Sequence, residues 1–116
     1  MKTSETTIEI WQKAIAISST EVVLEQLFLQ LSKDFERVGI PLNFELPNEP
    51  NLWIPQLSKL LSKIDDQQMN HLLYIIDLPE KWSLNMKNTN NANDQLAEGI
   101  LYRELVKIYY RLQYQA

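Results

Sequence analysis

The chain has no cysteine, only two glycines and a single histidine, and each shortage excludes a class of site. Without cysteine there are no disulfides, no thiolate nucleophile and no cysteine-based zinc site. One histidine, His71, cannot supply the paired ligands of a histidine zinc motif. Two glycines do not form a glycine-rich phosphate-binding loop. The sequence therefore predicts neither a metal site nor a cofactor.

Long apolar runs and targeting segments are also missing from the sequence. The densest apolar stretch, from Leu72 to Ile76, is far too short to cross a bilayer. The N-terminal stretch MKTSETTIEI has an early Glu5 and no continuous apolar segment of the kind found in secretory signals. We therefore expect no membrane contact and a cytoplasmic location, which the absence of cysteine also fits.

The charge balance is mildly acidic, with 11 basic residues, 15 acidic residues and a formal net charge of −4. A general nucleic-acid-binding protein needs a basic surface that displaces counterions from the phosphate backbone, so this class is disfavoured. The hydrophobic fraction of 45% is ordinary for a globular protein. At 116 residues, the chain is expected to fold as one domain over residues 1–116.

Apolar residues that recur at intervals of three and four predict helices throughout the chain. The first helix is expected over about residues 7–17, with Thr6 and Glu9 as a capping box that satisfies backbone donors. A short strand through Ile8 and Ile10 is the alternative for this segment.

The second predicted helix has the clearest pattern. Ser18 and Glu21 form a capping box at its start, and Gly39, followed by Pro41, ends it. Its apolar residues keep the helical spacing and are predicted to face the core: Leu24, Leu27, Phe28, Leu31, Phe35 and Val38.

Two further helices are predicted on either side of Asp65. The first of them carries Trp53, with Pro55 tolerated in its first turn. The apolar stripes before and after Asp65 differ by roughly 120° around the helix axis, so one straight helix could not bury both. Asp65 and Gln68 have the spacing of a capping box at this jump, and the chain is expected to turn a sharp corner there.

Two connecting segments are predicted to be irregular. Residues 40–51 contain three prolines, and Leu42, Phe44 and Leu46 alternate among them, so this segment is expected to form an extended strap across the bundle. Residues 83–93 are rich in asparagine and almost devoid of apolar residues, and they are predicted to form a mobile loop.

The last helix is predicted to begin near Asn93 or Asp94 and to run almost to the end of the chain. Its core line is expected to be Ala97, Leu101, Leu105, Ile108 and Leu112. The predicted fold class is therefore an all-α, single-domain bundle of four or five amphipathic helices.

The stretch HLLYIIDLPEKW, residues 71–82, holds the acid–base candidates. His71 and Asp77 are six residues apart, which is about 240° around a helix, so their side chains point apart. Asp77 suits the N-cap of a new turn before Pro79, and Glu80 completes a capping box with it. No catalytic residue is predicted, and the chain is not expected to be an enzyme.

The last helix carries the predicted partner-binding surface, which we call the tyrosine face. Tyrosine and arginine are enriched in interaction hot spots. Here Tyr102, Val106 and Tyr110 recur at intervals of four residues, with arginines beside them. The tyrosine face consists of Tyr102, Arg103, Val106, Tyr110, Arg111 and Tyr114. Within and beside it runs a basic ridge, Arg103, Lys107 and Arg111. The alternative is a set of ordinary surface tyrosines beside basic residues that complement the helix dipole.

These observations favour a non-catalytic protein–protein interaction module, such as a small adaptor or a subunit of a larger assembly, that uses the tyrosine face. Its partner is expected to be another protein or a second copy of the chain in a homodimer. The alternative is a small-ligand-binding protein or enzyme with a pocket lined by Trp53, His71, Tyr74 and Trp82. Nucleic-acid binding through the basic ridge is a third hypothesis, which the net acidity disfavours.

Overall fold

The structure, a computed structural model, describes residues 5–42, 44–78 and 92–115. Within these residues there are five α-helices, one 3-10 turn and no strand. The helices are α1 (Glu5–Ile17), α2 (Thr20–Glu36), α3 (Trp53–Leu61), α4 (Asp66–Ile76) and α5 (Ala92–Gln115), and the 3-10 turn Pro50–Leu52 leads into α3. The predicted all-α fold is confirmed, and the strand alternative through Ile8 and Ile10 is wrong because α1 includes both residues.

Helix α5 is the central element of the fold, because it contacts each of the other four α-helices. One segment of it is covered on all sides, since every residue from 96 to 101 is buried. Its second half is amphipathic. The predicted core line is confirmed, and its members are Ala97, Leu101, Leu105, Ile108 and Leu112. The helix begins at Ala92, slightly earlier than predicted.

Two tryptophans join α1 to α3 in the core. Trp11 and Trp53 pack edge to face, with their ring centroids 5.1 Å apart, which is a favourable aromatic geometry. Trp53 is fully buried, and its indole Nε1 donates a hydrogen bond of 2.6 Å to the Pro47 carbonyl. This bond satisfies the buried N–H group and ties the chain before α3 to the core.

The connecting segments are described in part. Leu42, Phe44 and Leu46 are partly buried against the core. Asn43 lies outside the described residues, and the extended strap over residues 40–51 stays a prediction. Of the predicted asparagine-rich loop over residues 83–93, residues 83–91 lie outside the described residues and the last two belong to α5.

The helix boundaries correct three predicted caps. Helix α1 already includes Thr6, so it does not begin after a cap at that residue. Helix α2 is capped by Ser19, not Ser18, and the Ser19 hydroxyl accepts a hydrogen bond of 3.1 Å from the Val22 N–H. Asp77 ends α4 in the left-handed conformation, with φ 61° and ψ 53°. An N-cap residue needs extended backbone, which Ser19 has and Asp77 lacks.

The buried face of α2 also differs from the prediction. Leu24 and Phe28 are only half-buried, whereas Val23 and Asp34 are buried. The other predicted members are buried as expected: Leu27, Leu31, Phe35 and Val38. A carboxylic acid therefore lies in the core face of this helix.

The predicted break between α3 and α4 and the capping box at Asp65 are confirmed, and a single glutamine side chain connects this junction to α2. The Asp65 carboxylate accepts a 2.7 Å hydrogen bond from the Gln68 N–H, and the Gln68 side-chain carbonyl accepts one of 3.2 Å from the Asp65 N–H. Gln68 Nε2 also donates to the Val38 carbonyl at 3.0 Å. Val38 lies in the turn after α2, next to Gly39, whose φ of +83° confirms the predicted left-handed end. Gln68 thus caps α4 and links it to α2.

Replacing Gln68 tests this double role. We expect Gln68→Ala to lower the free energy of unfolding by about 1–2 kcal/mol, because it removes half of a capping box and leaves the Val38 carbonyl without its donor. Urea unfolding measures the change. The neighbouring variant Gln67→Ala is the control, because Gln67 is exposed at the same helix end. Equal effects of the two variants would contradict the assignment.

Candidate functional site

The structure divides the tyrosine face into a half-buried part and an exposed part. Tyr102, Arg103 and Val106 are half-buried, because α5 lies among four other helices and its flanks are partly covered. Tyr110 and Tyr114 are 54% and 89% exposed. Arg111 is exposed as well. The exposed part of the face is therefore the last two turns of α5.

Each residue of the basic ridge contacts a side chain of the same protein. Arg103 Nη2 lies 3.3 Å from Asp77 Oδ2, and Lys107 Nζ lies 3.0 Å from Glu104 Oε1. Arg111 Nη2 donates a hydrogen bond of 3.1 Å to Gln30 Oε1. The Asp77 carboxylate is 83% exposed, so its pair with Arg103 contributes little to stability. The partner of Arg111 is an uncharged amide, so this contact does not neutralise the positive charge of Arg111.

A groove of about 570 Å³ runs between α2 and the end of α5. The α2 side contributes two apolar residues that are unusually accessible, Val22 at 38% and Leu29 at 58%. Arg111 lines the groove from α5. Around the α5 axis, Tyr114 and Tyr110 lie about 60° and 100° from Arg111 on the same side, so the exposed tyrosines continue from the edge of the groove. We call this combined surface the α2/α5 groove; its lining residues are Val22, Glu25, Gln26, Leu29, Gln30, Lys33 and Arg111.

A buried acidic pair joins α2 to α5 beneath the groove. Asp34 is 2% exposed and Glu104 is 0% exposed. Gln30 Nε2 donates weak hydrogen bonds of 3.4 Å to both Asp34 oxygens. Neither oxygen of Glu104 receives a well-aligned hydrogen bond from any described residue, although Lys107 Nζ is only 3.0 Å away. Two ionised carboxylates cannot hydrogen-bond each other, so a proton shared between them is needed to satisfy this site.

The pKa of Glu104 is raised from 4.5 to about 8, and burial is the largest cause. The hydrogen bond with Asp34 and the negative charge of Asp34 contribute to this rise, while the Lys107 ammonium group nearby partly offsets it. At neutral pH, Glu104 is therefore mainly protonated and acts as a donor toward Asp34. The pair consequently carries less negative charge than its two acidic residues suggest.

The positions of the two acids relative to apolar residues are a sequence signal for their burial, which the apolar residues alone do not show. Asp34 follows Leu31 by three residues, and Glu104 follows Leu101 by three residues and precedes Ile108 by four. Both acids therefore lie on the core lines of their helices. The spacing indicates burial of each acid, but the pairing between α2 and α5 follows only from the tertiary structure.

The described residues proposed for an alternative pocket differ in their burial. Trp53 is sealed in the core, whereas Tyr74 is 84% exposed on α4. His71 is exposed and lines a separate depression with Arg37 and Gln67, to which no acidic residue of the described chain contributes. Trp82, like Pro79 and Glu80, lies outside the described residues.

The raised pKa of Glu104 predicts a specific pH dependence of stability. The unfolded chain loses this proton near pH 4.5 and the folded protein near pH 8, so between these values the folded state holds more protons. The free energy of unfolding therefore falls as pH rises through this window, by up to about 1.4 kcal/mol per pH unit from this group. Glu104→Gln removes the titration, so its stability advantage over the wild type should grow with pH.

Urea unfolding across the window measures this difference, with Glu36→Gln as the matched control because Glu36 is exposed at the end of α2. A difference between wild type and Glu104→Gln that stays constant with pH would contradict the assignment. A parallel rise for Glu36→Gln would assign the effect to net charge instead.

The described residues contain neither a membrane-spanning helix nor a metal-binding cluster. None of the helices within the described ranges combines the length and apolar character needed to cross a bilayer. No cluster of three or more potential metal-ligating histidine or acidic side chains occurs in this part of the chain. Comparisons with protein-family models, curated proteins and solved structures find no match to this chain.

Proposed function

We propose that the chain is a non-catalytic protein-interaction module that binds a segment of another protein along the α2/α5 groove. The observation that supports it is the exposure of Leu29, which lines the groove from α2, and of Tyr114, which lies three residues after Arg111 on α5. Large apolar side chains beside a groove are typical of interaction sites when they form one patch. Tyr110 is exposed as well, and Arg111, its neighbour in the sequence, lines the groove.

The charges of the groove favour a partner segment that combines apolar side chains with a carboxylate. Lys33 and Arg111 are its cations and Glu25 is its only lining anion among the described residues, so the groove is positive in a chain of net charge −4. Arg111 is oriented by the neutral Gln30 amide and keeps its charge for a partner. A carboxylate there can accept paired N–H donors from the guanidinium group, which adds geometric specificity.

A different protein fits this surface better than a second copy of the chain. In a two-fold dimer the same patch faces itself, which would bring the cationic groove of one copy against that of the other. The net charge of −4 on each copy adds long-range repulsion. An amphipathic helix with apolar residues toward Val22 and Leu29 and an acidic residue toward Arg111 avoids both costs.

Selection of helical peptides from a display library against the purified protein tests the proposal. We expect enriched peptides to contain an acidic residue beside apolar residues. Leu29→Ala/Tyr114→Ala should weaken their binding about tenfold or more, because truncation of a hot-spot residue typically costs 1–2 kcal/mol or more. Titration calorimetry measures the affinity, and thermal unfolding confirms that each variant is folded.

Leu52→Ala/Tyr74→Ala is the matched control, since Leu52 and Tyr74 are 48% and 84% exposed outside the groove. Its peptide affinities should equal those of the wild type. Absence of enriched peptides, or binding that survives Leu29→Ala/Tyr114→Ala, would overturn the proposal. Sedimentation velocity over a range of concentrations covers self-association: a dimer that the groove variant abolishes would replace the foreign partner by a second copy.

A further inference from the structure

We propose that the buried Asp34–Glu104 pair regulates the α2/α5 groove, so that gain or loss of its proton changes how the groove presents Arg111 to a partner. This inference deepens the proposed function, on which its binding consequence rests. A continuous hydrogen-bond network joins the groove to the buried pair.

This polar network runs from the surface to the buried pair without a break. Arg111 donates to the side-chain carbonyl of Gln30, and the side-chain N–H group of Gln30 donates in turn to both carboxylate oxygens of Asp34. Asp34 faces Glu104, which Lys107 approaches from one turn further along α5. Gln30 is therefore the link, because its two ends bind the groove cation and the buried acid. The 3.4 Å bonds to Asp34 are the longest in this polar network, so they are the easiest of its bonds to break.

The charged groups that face Glu104 are few. Within the described residues, Asp34 from α2 and Lys107 on α5 itself are the charged groups that act on it. On the other helices that pack against α5, the charged side chains that the structure describes are exposed. They are Glu9 and Lys13 on α1, Lys59 on α3, and Asp66 and His71 on α4. The response of this site to pH is thus a property of the α2–α5 contact.

The physical consequence of losing the proton follows from the burial of both acids. With a proton present, Glu104 donates to Asp34 and the contact between α2 and α5 is attractive. Without it, two carboxylates face each other where neither reaches water, and the repulsion is only partly offset by Lys107. The least costly relief is for Asp34 to turn toward solvent or for α2 to shift. Either movement breaks the Gln30 bonds, which releases Arg111 from its fixed position.

Nuclear magnetic resonance of the full chain tests the coupling without any partner. Titration follows the Glu104 side-chain carboxyl carbon, the Leu29 backbone amide and the Arg111 Nε–H group, with the Trp53 indole as a distant reference. We expect the groove signals of Leu29 and Arg111 to shift with the same midpoint as the Glu104 carboxyl, near pH 8. Glu104→Gln should abolish these shifts, and Glu36→Gln should leave them unchanged.

A second variant keeps the test decisive if Glu104→Gln does not fold. Asp34→Asn retains the shape of the side chain but removes the facing charge, so the Glu104 midpoint should fall and the groove signals should no longer titrate with it, because no repulsion between two carboxylates arises. Groove signals of the wild type that stay constant while Glu104 titrates would overturn the coupling. Groove signals that still titrate in Asp34→Asn would overturn it as well.

Affinity measurements then separate this inference from the proposed function. A peptide obtained by the display selection should bind about fivefold or more tightly one pH unit below the Glu104 midpoint than one unit above it, and Glu104→Gln should remove the difference. A peptide that binds the groove equally at both values overturns the regulation and leaves the proposed function standing. Titrating groove signals with no binding peptide would have the opposite meaning: the coupling stands and the proposed function fails.

Discussion

The packing of α1, α2, α3 and α4 around α5 is the constraint on which the other features of the described chain depend. A helix surrounded in this way must present small or apolar residues over most of its circumference, and every residue from 96 to 101 is buried. The exposed arc of α5 widens only toward its end. That taper explains why Tyr110 and Tyr114 reach solvent while Tyr102 is half-covered. The surface open to a partner is consequently the last turns of α5 and the adjoining part of α2.

The same packing places two acids in the interior. Helices α2 and α5 run antiparallel, because Gln30 contacts Arg111 while Asp34, one turn later, faces Glu104, two turns earlier. A hydrophobic pair of similar volume at this contact would avoid the cost of burying polar groups. The acids instead make the stability of the contact depend on a proton, and Gln30 connects that proton to a surface cation. An interior polar network thus underlies a surface that is otherwise defined by apolar side chains.

Much of the fold could be predicted because its signals are local. Helical spacing of apolar residues identified the core line of α5 and most of that of α2, and the pattern break at Asp65 located the junction between α3 and α4 that Gln68 caps. The predicted helix caps were either within one residue of the observed cap or wrong. Several neighbouring side chains can serve as an N-cap, and small differences in backbone conformation decide between them. Asp77 shows the limit: its aspartate and the proline two residues later suited a helix start, yet its backbone is left-handed and ends α4.

The candidate site was predictable only in part. The tyrosines and arginines of α5 could be grouped from their spacing alone, because four-residue intervals place side chains on one face of a helix. The neighbouring residues on α2 and at the end of α4 decide which of these side chains are exposed. They also decide which of the cations are already bonded to another residue of the protein. By itself, then, the sequence determined the helices, their apolar faces and the absence of cysteine chemistry, because these follow from residue type and short-range spacing. Only the tertiary structure decided the groove and the pairing of Asp34 with Glu104. Both arise from contacts between residues about seventy positions apart in the sequence, and the sequence pattern of two helices does not show how they pack against each other.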